Sequence, residues 1–161
     1  MDFLVLAADD WETVRDVRLQ ALKDSPTAYI SNYEAAAART EADWRQTFTD
    51  GLWIVAQRGR RIIGLARSLR VTDRPADERH LESIWVDPRY RRSGVMRAIL
   101  RCLAELEPEV REWLLWVVDR NVDARTVYER LGFQATGERQ LLDDDSGRTE
   151  LRLRRRTLPV P

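Results

Sequence analysis

An arginine-rich turn with one glycine stands where the chain pattern changes from alternating to helical. The segment VDPRYRRSGVM covers residues 86–96. The first N–H groups of a helix lack intrahelical partners and carry partial positive charge, so this position favours anions. Gly94 permits close approach of a ligand, and Arg91 and Arg92 offer forked hydrogen-bond donors. The turn therefore indicates either a phosphate-binding site or a strand-to-helix turn whose glycine and arginines serve only to turn the chain and keep it soluble.

Titratable side chains flank this turn. His80 and Glu82 have the spacing of one strand face, and Tyr128 lies on the apolar stripe of a later predicted helix. An imidazole, a carboxylate and a phenol can all exchange protons with a substrate. Each also has a structural explanation, because strand carboxylates are often solvated and helix tyrosines often fill a core.

The elements that must hold these residues follow from periodicity and turn signals. Strands are predicted at residues 3–7, 52–57, 62–71, 80–86, 113–118, 133–142 and 148–158. Helices are predicted from Asp9 or Asp10 to Ser25, from Thr40 to about Asp50, from Gly94 to about Leu106, and from Asn121 or Asp123 to Gly132. Alternation in 80–86 places His80, Glu82, Ile84 and Val86 on one face and Leu81, Ser83 and Trp85 on the other.

Length and composition predict one domain, residues 1–161. Hydrophobic residues make up 43% and charged residues 34% of the chain, which is typical of a globular protein. No apolar run approaches the roughly 20 residues that span a bilayer, and the first residues lack a basic region, so we expect a cytoplasmic protein without membrane contact. One cysteine, Cys102, and one histidine, His80, give no metal site. The net charge of zero gives no general attraction to nucleic acid.

Two segments in order resemble motifs of the GNAT N-acetyltransferase superfamily. VDPRYRRSGV followed by MRAILRCL resembles motif A, whose Arg/Gln-x-x-Gly-x-Gly/Ala turn holds the pyrophosphate of coenzyme A; Arg91, Gly94 and Val95 match. About thirty residues later, WVVDRNVDARTVYERLGF resembles motif B, with matches at Asn121, Ala124, Tyr128, Gly132 and Phe133. Two positions depart from motif A: Arg92 stands where members often have glycine, and Met96 stands at the final Gly/Ala position.

The resemblance implies a fold and a cosubstrate. The fold is α/β, with a central mixed, mostly antiparallel, splayed sheet of six to seven strands flanked by about four helices. Acetyl-CoA would lie where two parallel strands part. The residues implied to contact it are Ile84, Trp85, Val86, Arg91, Arg92, Ser93, Gly94, Val95, Met96, Arg97, Asn121, Ala124 and Tyr128.

The resemblance also implies catalytic and acceptor roles. Tyr128 matches the tyrosine that protonates the coenzyme A thiolate, and Glu82, or His80, would assist deprotonation of an amine. Counted back from Gly94, this pair occupies positions where aralkylamine N-acetyltransferases carry two histidines. The acceptor site would come from the first two helices and the last hairpin, namely Tyr29, Tyr33, Glu34, Trp44 and the acidic turn 143–145.

Several functions remain open on the sequence. Acetylation of a primary amine on a small molecule by a monomer or homodimer is the preferred hypothesis. Acetylation of a protein lysine or N-terminus ranks lower, because Trp116 stands where ribosomal-protein acetyltransferases carry glutamate. Met96 leaves open a non-catalytic acyl-CoA sensor. RNA binding through the RLRRR strand, residues 152–156, competes with the interpretation that these arginines keep an exposed sheet edge soluble.

Overall fold

A computed structural model of the protein describes residues 1–29, 32–143 and 146–157. Seven strands form one sheet in the order β1-β2-β3-β4-β5-β7-β6. They are β1 (Asp2–Leu6), β2 (Gly51–Arg58), β3 (Arg61–Leu69), β4 (Glu78–Val86), β5 (Glu112–Val118), β6 (Gln134–Leu141) and β7 (Thr149–Arg156). Within residues 1–29, 32–143 and 146–157, β4 and β5 are the one parallel pair of neighbours. The predicted mixed, mostly antiparallel sheet is confirmed.

The described part of the chain forms five α-helices, one more than the four that periodicity predicted. They are α1 (Trp11–Asp24), α2 (Tyr33–Ala37), α3 (Glu41–Gln46), α4 (Val95–Leu106) and α5 (Val122–Arg130). The additional helix is α2, which is too short to show a repeating apolar stripe; the side chain of Asn32 caps it. The prediction that α3 continues to Asp50 was wrong, because the chain leaves the helix after Gln46. Among the described residues, no helix is both long and apolar enough to cross a membrane.

The helices cover the sheet from both sides and bury two cores. On one side, which we call the α1 side, α1 buries residues at helical spacing, including Val14, Val17 and Leu22, against β2, β3 and β4. On the other, the α4 side, α4 buries Ile99 and Leu103 against β2, β3, β5 and β7. The sheet is therefore the middle layer of three.

A glycine lets α4 pack closely on the sheet. A Cβ atom at Gly64 in β3 would lie 2.9 Å from Val95 Cγ1 and 3.0 Å from Ile99 Cδ1. Both distances are shorter than side-chain packing tolerates, so only glycine fits at this point of β3 without displacing the helix. Gly64 thereby fixes the height of the first turn of α4 above the sheet.

Candidate functional site

The sheet opens between its two parallel strands. β4 and β5 pair only at Glu78↔Glu112, Arg79↔Trp113 and His80↔Leu114. Beyond these pairs the remaining residues of β4 have no ladder partner in β5. The predicted splayed sheet is therefore present, and the opening provides an extended slot with strand backbone along its sides.

Two tyrosines approach this opening from opposite sides of the sheet. Tyr29 packs with the α1-side core, and its hydroxyl donates a hydrogen bond to the Ile84 carbonyl oxygen at 2.7 Å. Tyr128, on α5, packs with the α4-side core, and Tyr29 lies near enough to contribute to the raised pKa of Tyr128. Phenols from both layers thus meet near the point where β4 leaves β5.

A bulge in β4 changes which side chains share a face. Ser83 has a φ of 54°, and the register of β4 against β3 shifts between Leu65↔Trp85 and Arg67↔Glu82. As a result, Leu81 packs in the α4-side core, whereas Trp85 packs in the α1-side core. The prediction that Leu81, Ser83 and Trp85 share one face was therefore wrong, and so was the prediction that Ile84 and Val86 share the face of His80 and Glu82.

The chain between β4 and α4 is anchored by a buried aspartate. Asp87 is 2% exposed and accepts hydrogen bonds from the backbone N–H and the side chain of Arg89, and its carboxylate also pairs with Arg61 at 3.0 Å. The Arg91 guanidinium is held as well, by the Val86 carbonyl oxygen at 3.1 Å. These contacts fix the turn, and they commit Arg89 and Arg91 to protein partners.

The N-terminus of α4 combines free amides with free cations. Gly94 is its N-cap with a φ of 84°, and no side chain caps this helix, unlike α2, α3 and α5. No acidic residue lies in its first turn. Ser93, Arg92 and Arg97 are exposed, and among the described residues the two arginines have no hydrogen-bond or ion-pair partner. Uncapped amides beside two free guanidinium groups fit a pyrophosphate.

The two departures from the family motif have clear structural positions. Arg92 has a φ of 60°, the left-handed conformation in which glycine carries no penalty, so this position suits the glycine that family members often have. Met96 is 7% exposed and packs in the α4-side core together with Val95. The Met96 side chain therefore points away from the solvent-facing side of the turn.

The motif B residues lie at the N-cap of α5, on its half-buried face and just after its end. The Asn121 side chain accepts a hydrogen bond from the Ala124 backbone N–H at 3.2 Å, so Asn121 is the N-cap. The Tyr128 ring packs edge-on against Phe133 with centroids 5.8 Å apart. Burial, with a smaller contribution from Tyr29, raises the pKa of Tyr128, so its hydroxyl stays protonated at neutral pH. A protonated phenol can donate a hydrogen bond to a neighbouring acceptor.

Glu82 and His80 both have arginine partners. Glu82 forms an ion pair with Arg67 of β3, and its side chain remains 45% exposed. His80 Nε2 lies 2.6 Å from Arg152 Nη2, so this nitrogen accepts a hydrogen bond and the ring carries its proton on Nδ1. Burial and the charge of Arg152 lower the pKa of His80. Glu82 therefore has the more accessible basic atoms of the two.

The predicted acceptor residues are only partly brought together. Tyr29 borders the opening, whereas Tyr33 lies on α2 beneath the Lys23 ammonium at 5.0 Å, and Glu34 is exposed. Trp44 is buried in the α1-side core. Of the acidic turn only Asp143 is described, and Asp144 and Asp145 lie outside the described residues.

Sequence reasoning missed the arginines of the α1 side. The interpretation of residues 152–156 as a soluble sheet edge was wrong for Arg152, because β7 lies between β5 and β6 and Arg152 is only 9% exposed. It pairs with Glu138 at 2.7 Å and stacks on Trp116. Arg18, 8% exposed on α1, was also overlooked. A charged residue inside the apolar stripe of α1, between Val17 and Ala21, is the signal that could have found it.

Among the residues that the structure describes, no group of three or more His, Cys, Asp or Glu side chains could hold a metal ion. Glu82 and His80 are paired with arginines instead. The chemistry of this site must therefore be argued from these side chains and the backbone.

The fold and this geometry agree with a known family. The Acetyltransferase (GNAT) family model matches residues 18–133, most of the chain. The protein belongs to the GNAT acetyltransferase family.

Curated relatives share parts of the chain. It is 33% identical over 64 residues to the uncharacterized N-acetyltransferase YafP of Escherichia coli (strain K12), covering 40% of this chain and 39% of that protein. It is 28% identical over 116 residues to N-acetyltransferase 8F1 of Rattus norvegicus, covering 68% of this chain and 52% of that protein. The chain thus matches about half or less of each relative's length.

A solved structure matches almost the whole chain. The PaiA N-acetyltransferase from Thermoplasma acidophilum, in complex with coenzyme A, superimposes with a TM-score of 0.72 at 16% identity. The superposition covers 98% of this chain and 100% of that chain. At this identity, the likeness demonstrates a common fold.

Proposed function

We propose that this protein is an acetyl-CoA-dependent N-acetyltransferase that acts on a primary amine of a small molecule. One observation carries the proposal: the opening between β4 and β5 leads to an uncapped, cationic helix N-terminus. A slot with strand backbone along its sides suits a linear arm, and the helix end suits its phosphates. Family membership and the coenzyme A complex of the Thermoplasma acidophilum enzyme support the same cosubstrate.

The proposed cosubstrate site uses three parts of the chain. Strand residues Ile84, Trp85 and Val86 would contribute mainly backbone, since the Trp85 side chain is buried on the α1 side with Nε1 donating to Asp24. The turn and first helical residues would contribute amides and charge: Arg91, Arg92, Ser93, Gly94, Val95, Met96 and Arg97. Asn121, Ala124 and Tyr128 would border the opposite side.

Acetyl-CoA supplies an acetyl group activated as a thioester. The acceptor nitrogen must be deprotonated before it attacks, and an alkyl ammonium with a pKa near ~10 keeps its proton at neutral pH. In our proposal Glu82 accepts this proton, directly or through one water molecule. His80 is the weaker candidate, because its acceptor nitrogen already receives a hydrogen bond from Arg152. The new N–C bond forms as the C–S bond breaks.

The leaving sulfur carries the electron pair of the broken bond and needs a proton or a hydrogen bond. Tyr128 would donate it, because burial keeps this phenol protonated and, among the described residues, its hydroxyl has no hydrogen-bond partner. The raised pKa of Tyr128 makes it a weak acid. Its contribution should therefore be a hydrogen bond that strengthens as charge develops on the sulfur.

Two measurements test the proposed function. Calorimetry with acetyl-CoA should give saturable binding, and release of free thiol should require an added primary amine. Absence of binding at millimolar acetyl-CoA would reject both the enzyme and the sensor. Binding without thiol release on any amine would favour the sensor, and release only on peptides would favour protein acetylation.

Two substitutions test the proposed roles. Tyr128→Phe should lower kcat by about 10²-fold while leaving acetyl-CoA affinity unchanged, because only charge development on sulfur is affected.

Glu82→Gln should lower kcat/KM by about 10²-fold and shift the rate profile toward higher pH, where more amine is already deprotonated. Glu105→Gln, on the exposed face of α4, is the matched control. Profiles that match the control in both variants would remove these roles.

A further inference from the structure

A buried arginine on the α1 side lacks a partner. Arg18 is 8% exposed, and its Nη1 atom is buried with no hydrogen-bond partner. Among the residues the structure describes, no carboxylate lies within ion-pair distance of it. The contact that holds it is the Tyr29 ring, whose centroid lies 4.3 Å from the guanidinium carbon. Arg18 is therefore a buried cation held by stacking alone.

Nearby charges do not neutralise this cation. The carboxylate whose charge acts most on Arg18 belongs to Glu82, and Glu82 is already paired with Arg67. Arg152 likewise has its own carboxylate in Glu138. Among the described residues Arg18 therefore has no carboxylate of its own, and Arg39 adds a further positive charge nearby.

Keeping such a charge is costly for a fold. A buried ion without a counter-ion loses hydration that nothing replaces. An uncharged side chain among the same apolar residues would make the folded protein more stable. Burial lowers the pKa of Arg18, but a guanidinium starts so high that it stays cationic at neutral pH. An anionic ligand at such a position would form an ion pair with the arginine and offset the cost of burying its charge.

The stacking partner connects Arg18 with the reacting centre. Tyr29 contacts Arg18 through its ring and Ile84 through its hydroxyl, and it lies near Tyr128. One aromatic side chain thus separates the unpaired guanidinium from the point where β4 leaves β5. A small molecule held at Arg18 would extend naturally toward Glu82 and the opening.

We propose that Arg18 binds a carboxylate of the acceptor, so that the substrates are amines carrying a carboxylate a few bonds from the amine, as in an amino acid. The inference rests on the proposed function. The cation of Arg18 and the carboxylate of Glu82 complement the two charges of such a zwitterion. A polyamine offers no group that could neutralise Arg18, and its second ammonium would be repelled there.

Turnover on paired substrates tests the inference. The twenty amino acids, their methyl esters and a polyamine are compared by thiol release at saturating acetyl-CoA. At least one free amino acid should exceed its own ester in kcat/KM by about 10- to 100-fold, the worth of a charge-assisted hydrogen bond. If esters or the polyamine react as well as or better than every free acid, the inference is overturned and the proposed function stands.

Variants locate the effect. Arg18→Met should abolish the preference for the free acid, Arg18→Lys should keep part of it, and the exposed Arg101→Met is the matched control. Because Arg18 is unpaired, Arg18→Met should unfold at the same or a higher temperature than the unaltered protein. A lower melting temperature together with an unchanged substrate preference would show a structural role and overturn the inference.

A measurement of thermal stability tests carboxylate binding at Arg18 independently of enzyme activity. At equal ionic strength, replacing chloride by acetate should raise the melting temperature more in the unaltered protein and in Arg101→Met than in Arg18→Met, because acetate also stabilises folded proteins without binding a specific site. Equal shifts in all three proteins would overturn the inference. If acetate acts through Arg18 while no amine releases thiol, the carboxylate site stands and the proposed enzyme activity fails.

Discussion

Met96 departs from the family motif, but its side chain does not block the turn before α4. Its side chain lies in the α4-side core with 7% exposure, so it is the helix backbone, not the side chain, that would face a phosphate at this turn. Arg92 is a different case. Its left-handed backbone costs about 1 kcal/mol relative to glycine, and its exposed guanidinium adds charge to the turn.

Met96→Ala should lower the free energy of unfolding by about 2 to 5 kcal/mol, because the smaller side chain leaves a cavity in the core. The affinity for acetyl-CoA should stay the same once the protein is folded. Urea unfolding and calorimetry measure the two effects. The exposed Arg101→Ala, on the same helix, should change stability by less than about 0.5 kcal/mol. Tighter acetyl-CoA binding by Met96→Ala would mean that the methionine crowds the ligand.

At the scale of elements, the position of α4 follows from β3 as much as from the helix itself. Gly64 leaves the space that Val95 and Ile99 fill, and this contact sets where the uncapped amides of α4 begin. Strand β3 therefore takes part in the site although it contributes no ligand-facing side chain at this point.

Gly64→Ala should destabilise the protein by about 1 to 3 kcal/mol, because the new methyl group meets Val95 Cγ1 at 2.9 Å. It should also weaken acetyl-CoA binding by shifting the first turn of α4. In a Val95→Ala background the same substitution should cost less, since the methyl group at 2.9 Å is gone and the Ile99 contact at 3.0 Å remains. Denaturant unfolding of the four proteins in this cycle gives the coupling energy. Additive effects would show that Gly64 does not set the position of the helix.

Much of the element order could be predicted, and the exceptions have physical reasons. The α4 stripe and the hairpin strands have clear periods, so their positions were confirmed. The bulge was missed because a serine, unlike a glycine, gives no sign in the sequence that its φ is positive. One extra residue in a strand moves every later side chain to the opposite face of the sheet. The order that makes β7 an interior strand depends on pairings between distant segments, which local patterns do not contain.

The candidate site was predicted less completely. Phosphate binding at the turn was predicted from helix-end chemistry, and the roles of Tyr128 and Glu82 were predicted from family resemblance; all three stay predictions. The sequence analysis did not select Arg18, because a single arginine in an amphipathic helix is usually exposed to solvent. Its burial and its lack of a counter-ion emerge only when α1 is packed on the sheet.

At the scale of the whole molecule, two parts of the sheet are joined by a narrow connection. Three residue pairs link β1–β4 with β5–β7, and the last of them involves His80. The His80 side chain adds a second link by accepting a hydrogen bond from Arg152 of β7. The charge state of one imidazole therefore bears on how firmly the two parts hold together.

Stability should fall as the pH is lowered from about 7.5 to 5. Burial first, then Arg152 and Arg74, lower the pKa of His80, while Glu82 and Glu78 oppose this weakly. The unfolded chain then takes up its proton at a higher pH than the folded chain, so acid favours unfolding. Because His80 is the sole histidine, His80→Gln should flatten this dependence in urea titrations. An unchanged slope would show that other groups cause it.

The narrow connection between β4 and β5 also has a consequence for how the chain folds. Antiparallel neighbours β2 and β3 are joined by a short turn, whereas β5 reaches β4 only after the 25 residues between Val86 and Glu112 have been arranged as a crossover through α4. Closing that long segment costs more chain entropy than closing a hairpin, so it belongs among the late folding steps. A partly folded chain can thus hold native hairpins and still lack the slot. The opening between β4 and β5 forms only when the whole topology is complete.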